Sequence, residues 1–115
     1  MKISSTKKPW GGFKTFTNNE KSTVKILTIN PKQKISLQRH KKRSEFWFFL
    51  DNPAKVTIGK KVKKFKKGDS LIVRRNTLHR IEGLSKIVNV LEISFGKFEE
   101  GDILRVEDIY GRIKK

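Results

Sequence analysis

Four side chains in this sequence have the types and the spacing to hold a metal ion. Gln38 and His40 are two residues apart, so on a strand they project from one face. Glu45 follows five residues after His40, and the only other imidazole comes much later, in Leu78-His79-Arg80. Together they offer one amide oxygen, two imidazoles and one carboxylate. Such a mixed nitrogen and oxygen set suits a divalent first-row ion: zinc, manganese, iron, nickel or cobalt. Spacing alone leaves a plainer reading open, in which the two His are surface residues or satisfied core groups.

The elements that must position these residues read as strands. Alternating or β-branched runs fall at 12–16, 23–29, 35–40, 45–50, 55–58, 61–65, 70–73, 78–82 and 87–95. Pro9, Gly11-Gly12, Asn18-Asn19, Pro31, Asp51-Asn52-Pro53, Gly59, Gly68-Asp69, Gly83 and Gly96 break them. Turn signals every 8 to 12 residues point to a sandwich or barrel rather than βαβ units. Residues 56–62 read as a tight hairpin, with Gly59 free to take positive φ. Residues 99–113 carry apolar Ile103, Leu104, Val106 and Ile109 and fit either a strand or a short closing helix. A length of 115 residues fits one domain, 1–115.

Composition removes several classes. The chain has no Cys, which excludes disulfides, thiolate zinc sites, iron–sulfur clusters and cysteine nucleophiles, and makes a reducing cytoplasm the expected compartment. The longest apolar run, Phe46 to Leu50, is five residues, so no membrane span is expected where about 20 are needed. The first residues are basic without an apolar stretch, so no secretory signal is expected. Lys and Arg number 28 against 11 Asp and Glu, a formal charge of +17. That field attracts nucleic acid, anionic lipid and phosphorylated small molecules alike. Six lysines fall between 60 and 67, where they would guard an exposed strand edge from pairing.

The order of these residues resembles the two motifs of the cupin superfamily, and within it the C-terminal cupin domain of type II mannose-6-phosphate isomerases. The first cupin motif is Gly, five residues, His, one residue, His, four residues, Glu, six residues, Gly. Its register falls here on Lys32, Gln38, His40, Glu45 and Asn52. The second motif, from Gly through Pro and a second Gly to His, falls on Gly68, Arg74, Asn76 and His79. The type II isomerases are similar in further detail: Pro9-Trp10-Gly11, Ser36-Leu37-Gln38-Arg39-His40 with Gln in place of the first motif His, Arg43-Ser44-Glu45-Phe46-Trp47, His79-Arg80, and a stretch at 102–112 ending in Tyr110-Gly111-Arg112. The chain departs from the pattern at Lys32, Asn52, Arg74 and Asn76, and has Phe46 where the family has His after the motif Glu. Asn tolerates the left-handed conformation, so Asn52 and Asn76 suit those turns, whereas Lys32 needs a different turn or some strain.

The resemblance implies an all-β cupin double-stranded β-helix, a jelly-roll barrel with one divalent metal inside held by Gln38, His40, Glu45 and His79. It implies interconversion of mannose 6-phosphate and fructose 6-phosphate. The alternatives are a cupin that binds metal and sugar phosphate without turnover and, less favoured, a basic barrel for nucleic acid or an anionic polymer. Interleaved aromatic and basic residues would serve a single strand, but Trp47 and Phe49 are expected inside a cupin barrel. The larger family members add a nucleotidyltransferase domain, and no Gly-rich phosphate loop stands here, so sugar-nucleotide synthesis is not expected. An aldose–ketose shift needs an electrophile, a base with pKa near 7 and a cationic clamp for the phosphate. The base is left among Glu45, Glu92, a lysine and a metal-bound hydroxide, with Glu45 first because the register puts it beside the ion. The resemblance puts Arg112 at the phosphate or the enediolate, with Arg43 and Arg80 as further phosphate ligands.

If Glu45 faces the interior, Trp47 and Phe49 share its face, and Phe46, Phe48 and Leu50 point outward. Burying each of those outward side chains is worth about 1.5–3 kcal/mol. A cover is therefore expected, either a second copy in a homodimer, which is favoured, or the chain's own Trp10 and Phe13.

Overall fold

The structure, a computed structural model, describes residues 3–113. Those residues form eleven strands and no helix: β1 (Ser4–Lys8), β2 (Gly11–Thr15), β3 (Ser22–Ile29), β4 (Leu37–Arg39), β5 (Arg43–Phe49), β6 (Ala54–Ile58), β7 (Lys61–Phe65), β8 (Ser70–Val73), β9 (His79–Gly83), β10 (Val88–Gly96) and β11 (Leu104–Glu107). A four-stranded sheet runs β3-β10-β5-β8 and a five-stranded sheet runs β11-β4-β9-β6-β7, all antiparallel. Neighbours distant in sequence, β3 beside β10 and β4 beside β9, wind the chain into a double-stranded β-helix of two facing sheets. The hairpin β1–β2 stands apart from both. Residues 99–113, open between strand and helix in the sequence, supply β11, which pairs with β4.

Alternation along β5 decides what faces the interior. Trp47 and Phe49 are fully buried among Val56, Ile81, Val88 and Val90, none more than 1% exposed. Glu45 shares their face at 1% exposure. Burying six such apolar side chains, at about 1.5–3 kcal/mol each, stabilises the barrel enough to hold a few polar groups within it.

The outer side of β5 is not bare, which corrects half of the expectation. Phe46 is only 3% exposed, because Phe16 packs on it with ring centroids 5.7 Å apart and on Phe48 at 5.5 Å. Ile3 completes that small cluster with Ile93 and Phe95. The cover comes from the N-terminal segment, but not from Trp10 and Phe13, which are 73% and 47% exposed.

Two of the altered motif turns take the left-handed conformation that glycine would ease. Lys32 has φ 61° and Asn76 φ 63°, whereas Asn52 has no positive φ. Asn52 instead holds its turn by donating its backbone N–H to Asp51 and its side-chain amide to the Ile87 carbonyl. Gly96 cannot be replaced cheaply, since a Cβ there would lie 2.6 Å from the Lys42 carbonyl oxygen.

Candidate metal centre

The two sheets bring His40, Glu45 and His79 together inside the barrel. Gln38 on β4 lies opposite His79 on β9, His40 follows β4, and Glu45 reaches across from β5. Ligand atoms of the three lie within 4.8 Å of one another. His79 Nε2 is 3.2 Å and His40 Nε2 3.5 Å from Glu45 Oε1, and the three residues are 1–3% exposed.

Each imidazole is turned by a backbone carbonyl. His40 Nδ1 donates to the Asp102 carbonyl at 2.6 Å and His79 Nδ1 to the Thr77 carbonyl at 2.8 Å. A carbonyl can only accept, so both protons sit on Nδ1 and both Nε2 lone pairs face Glu45. This is the outer-shell arrangement of metal-binding histidines. The Asp102 carboxylate accepts the backbone N–H groups of Lys41 and Lys42, both at 2.9 Å, and so fixes the loop that carries that carbonyl.

The residues fit a divalent ion. His79 Nε2 and Glu45 Oε1 are buried and have no hydrogen-bond partner, a costly state unless something accepts that lone pair and charge. Burial lowers the His40 pKa against the opposing Asp102 and Glu45 contributions, and Arg43 and His79 lower it further, so the ring is neutral and able to ligate. Burial pushes Glu45 up, but the neighbouring His79, Glu92 and His40 outweigh it and hold the carboxylate at about 2.

Gln38 sits at the edge of this cluster with its amide turned away. Its Oε1 accepts from Ser36 Oγ at 2.6 Å, and its Nε2 lies 3.5 Å from His40 Nε2. A half-turn of the amide exchanges oxygen and nitrogen and keeps a partner in Ser36, so the oxygen can be offered without a lost bond.

The arginines divide. Arg43 is buried at the cluster: Nη2 lies 3.4 Å from His40 Nε2 and Nε 3.7 Å from Glu45 Oε2, while Nη1 donates to the Glu99 carbonyl and the guanidinium covers the Phe98 ring. Arg80 and Arg112 stand apart, for a physical reason. Arg80 points out of the barrel and gives its donors to the Ile35 carbonyl and to Glu107, tying β11 down. Arg112 is held by Asp108 at 2.7 Å and lines an open groove with Gln33, Lys34 and Tyr110 that includes none of the cluster side chains. Both therefore contact groups of the tail, Arg80 through Glu107 and Arg112 through Asp108.

One group gains weight that sequence gave only as an alternative. Glu92 on β10 is 6% exposed and accepts from Trp47 Nε1 at 3.0 Å through Oε2. Burial, then the charge and hydrogen bond of Glu45, push its pKa up to about 8. Its signal in sequence was alternation: 90, 92 and 94 share a face, and an acid between Val90 and Ser94 faces Trp47. Phe46, in the place of the family's His, points outward into the Phe16 cluster, so that departure takes nothing from the interior.

Comparison with known proteins agrees with this fold. The family described as Mannose-6-phosphate isomerase C-terminal matches residues 2–108. The mannose-1-phosphate guanylyltransferase ManC of Salmonella typhimurium is 33% identical over 108 residues, which are 92% of this chain and 22% of that protein. The chain thus spans under a quarter of the length of the curated relatives it matches. Among solved structures, oxalate decarboxylase of Bacillus subtilis superposes with TM-score 0.69 at 20% identity, over 76% of this chain and 24% of that one. A conserved protein of Klebsiella pneumoniae with a double-stranded β-helix domain gives 0.67 at 17% identity, over 81% of both chains. These likenesses establish the cupin fold.

Proposed function

The chain belongs to the mannose-6-phosphate isomerase C-terminal family, and from that membership we propose that it interconverts mannose 6-phosphate and fructose 6-phosphate with a divalent metal ion. The observation that carries this reading is the pair of buried, partnerless atoms His79 Nε2 and Glu45 Oε1, facing each other at 3.2 Å. His40, Glu45 and His79 would hold zinc, manganese, iron, nickel or cobalt, and Gln38 would join them after turning its amide. When bound, the ion supplies Lewis-acid polarisation of the sugar carbonyl.

The chain's own groups do the rest. Glu45, expected as the base, is taken by the two imidazoles and is a ligand in this reading. Glu92 moves the proton between C1 and C2, with Trp47 pinning its Oε2. Arg43 is a fixed cation at the cluster and balances the negative charge that develops when C2 loses its proton. Burial of His40, Glu45, His79 and Glu92 keeps bulk water from that charge. The partner is a small sugar phosphate rather than nucleic acid, since Trp47 and Phe49 are buried and offer no stacking face. The compartment that fits a chain without Cys is a reducing cytoplasm.

A second copy completes the reading. The outer face of the four-stranded sheet leaves Val24, Ile26 and Ile72 at 58%, 61% and 46% exposure around the covered Phe46, and we infer that a homodimer buries them.

Proton transfer is tested directly by NMR of mannose 6-phosphate in deuterium oxide. The metal-loaded protein should place deuterium at C2 of mannose 6-phosphate and C1 of fructose 6-phosphate. Glu92→Gln should slow this about 10²- to 10⁴-fold, the usual worth of a positioned general base, with metal content unchanged. Exchange at the wild-type rate in Glu92→Gln would remove Glu92 from the reaction.

A further inference from the structure

One transverse row crosses the inner face of the five-stranded sheet. Arg105 lies opposite Gln38, Gln38 opposite His79, His79 opposite Ile58, and Ile58 opposite Lys61. Directly opposed residues on neighbouring strands share a face, and His79 faces the interior, so Arg105 does too. Burial along β11 agrees: Leu104 and Val106 are 46% and 51% exposed, and Arg105 between them is half-buried. Its backbone stands two strands from His79, about 10 Å away.

Arg105 differs from the three arginines that the sequence put forward in what it lacks. Arg43, Arg80 and Arg112 each donate to an acceptor at hydrogen-bond distance. Arg105 Nε is sealed from solvent with no hydrogen-bond partner, and among the described residues no carboxylate pairs with its guanidinium. A buried donor left unpaired costs about 1–3 kcal/mol, more when charged. A guanidinium whose Nε lacks an acceptor, on the same sheet face as His79, is a prepared seat for an anion. Arg39 Nε and Arg43 Nε are also unpartnered, but Arg43 donates through Nη1 to the Glu99 carbonyl, and Arg39 lies between Gln38 and His40 and so faces the other side of β4.

We propose that Arg105 receives the phosphate of the substrate, its planar fork gripping two phosphate oxygens while the sugar reaches the His40–Glu45–His79 cluster. The identity of the substrate rests on the isomerase reading above; the anion seat rests on the register and the unpaired donor. Arg112, expected in this role from sequence, is already neutralised by Asp108. Arg105 carries no such partner and faces the right side.

Two measurements on the metal-loaded full chain test this: the dissociation constant of inorganic phosphate by NMR titration, and kcat and KM for mannose 6-phosphate. Arg105→Gln should weaken phosphate binding at least 10-fold and raise KM at least 10-fold, with a smaller change in kcat. Arg105→Lys should restore only part, because a point charge lacks the fork. Arg39→Gln removes the same charge from the outer face and should leave both quantities at wild-type values. The melting temperature of Arg105→Gln should not fall, since an unpaired buried N–H is lost. Wild-type phosphate affinity in Arg105→Gln overturns the inference, as does a wild-type chain that binds no phosphate. If phosphate binding depends on Arg105 while the wild type turns over no mannose 6-phosphate, the isomerase reading fails and the anion seat stands.

Discussion

Glu45 meets opposing demands: burial disfavours its charge, and two imidazoles and the Glu92 carboxyl more than offset that. Replacing it with an amide of the same shape keeps the packing and removes the charge a cation needs. Glu45→Gln should lose divalent metal uptake, read by metal analysis after reconstitution and by Trp47 fluorescence, whose ring lies 5.4 Å from His79. Uptake at wild-type stoichiometry in that variant would contradict the ligand set. The convergence of His40, Glu45 and His79 was legible in the sequence because strand alternation and motif spacing place candidate ligands locally. Arg105 was not, because its importance arises only when β11 docks beside Gln38, a pairing between distant segments. Asp102 was hidden for a similar reason, since it acts on His40 through a backbone carbonyl that carries no residue signature.

At the scale of elements, strands with alternating apolar residues were readable and those without were not. β7 and β8 fall at 61–65 and 70–73, as their patterns indicate. β1, Ser-Ser-Thr-Lys-Lys, has no apolar alternation and is held by its pairing with β2. Turns show where sequence and geometry disagree. Lys32 adopts φ 61° at a position where the family pattern has glycine, and its backbone N–H donates to the Leu84 carbonyl at 3.0 Å. A left-handed non-glycine residue costs about 1–2 kcal/mol, partly offset by the entropy glycine loses on folding. Lys32→Gly should therefore raise stability, by about 1 kcal/mol in chemical denaturation. A lower midpoint would show that the lysine side chain makes a compensating contact.

The whole molecule carries +17, and a second copy carries the same, so association must overcome repulsion. Salt near physiological strength screens charge beyond about 8 Å, while the apolar face of Val24, Ile26 and Ile72 is indifferent to it. The dimer should tighten as salt rises, and Ile26→Glu should sediment as a monomer at every salt concentration. A wild-type chain that sediments as a monomer at high salt and high concentration would show that this face has no second copy on it. None of this enters the chemistry, which rests on one claim: that an ion held by His40, Glu45 and His79 makes this barrel an isomerase. The direct measurement is a coupled assay of mannose 6-phosphate turnover on one sample, as metal-loaded, after chelation and after a divalent ion is restored. Turnover should be present, fall to the uncatalysed rate on chelation, and return with the ion. Absence of turnover in protein shown to carry one ion per chain, or turnover that survives complete chelation, would contradict it.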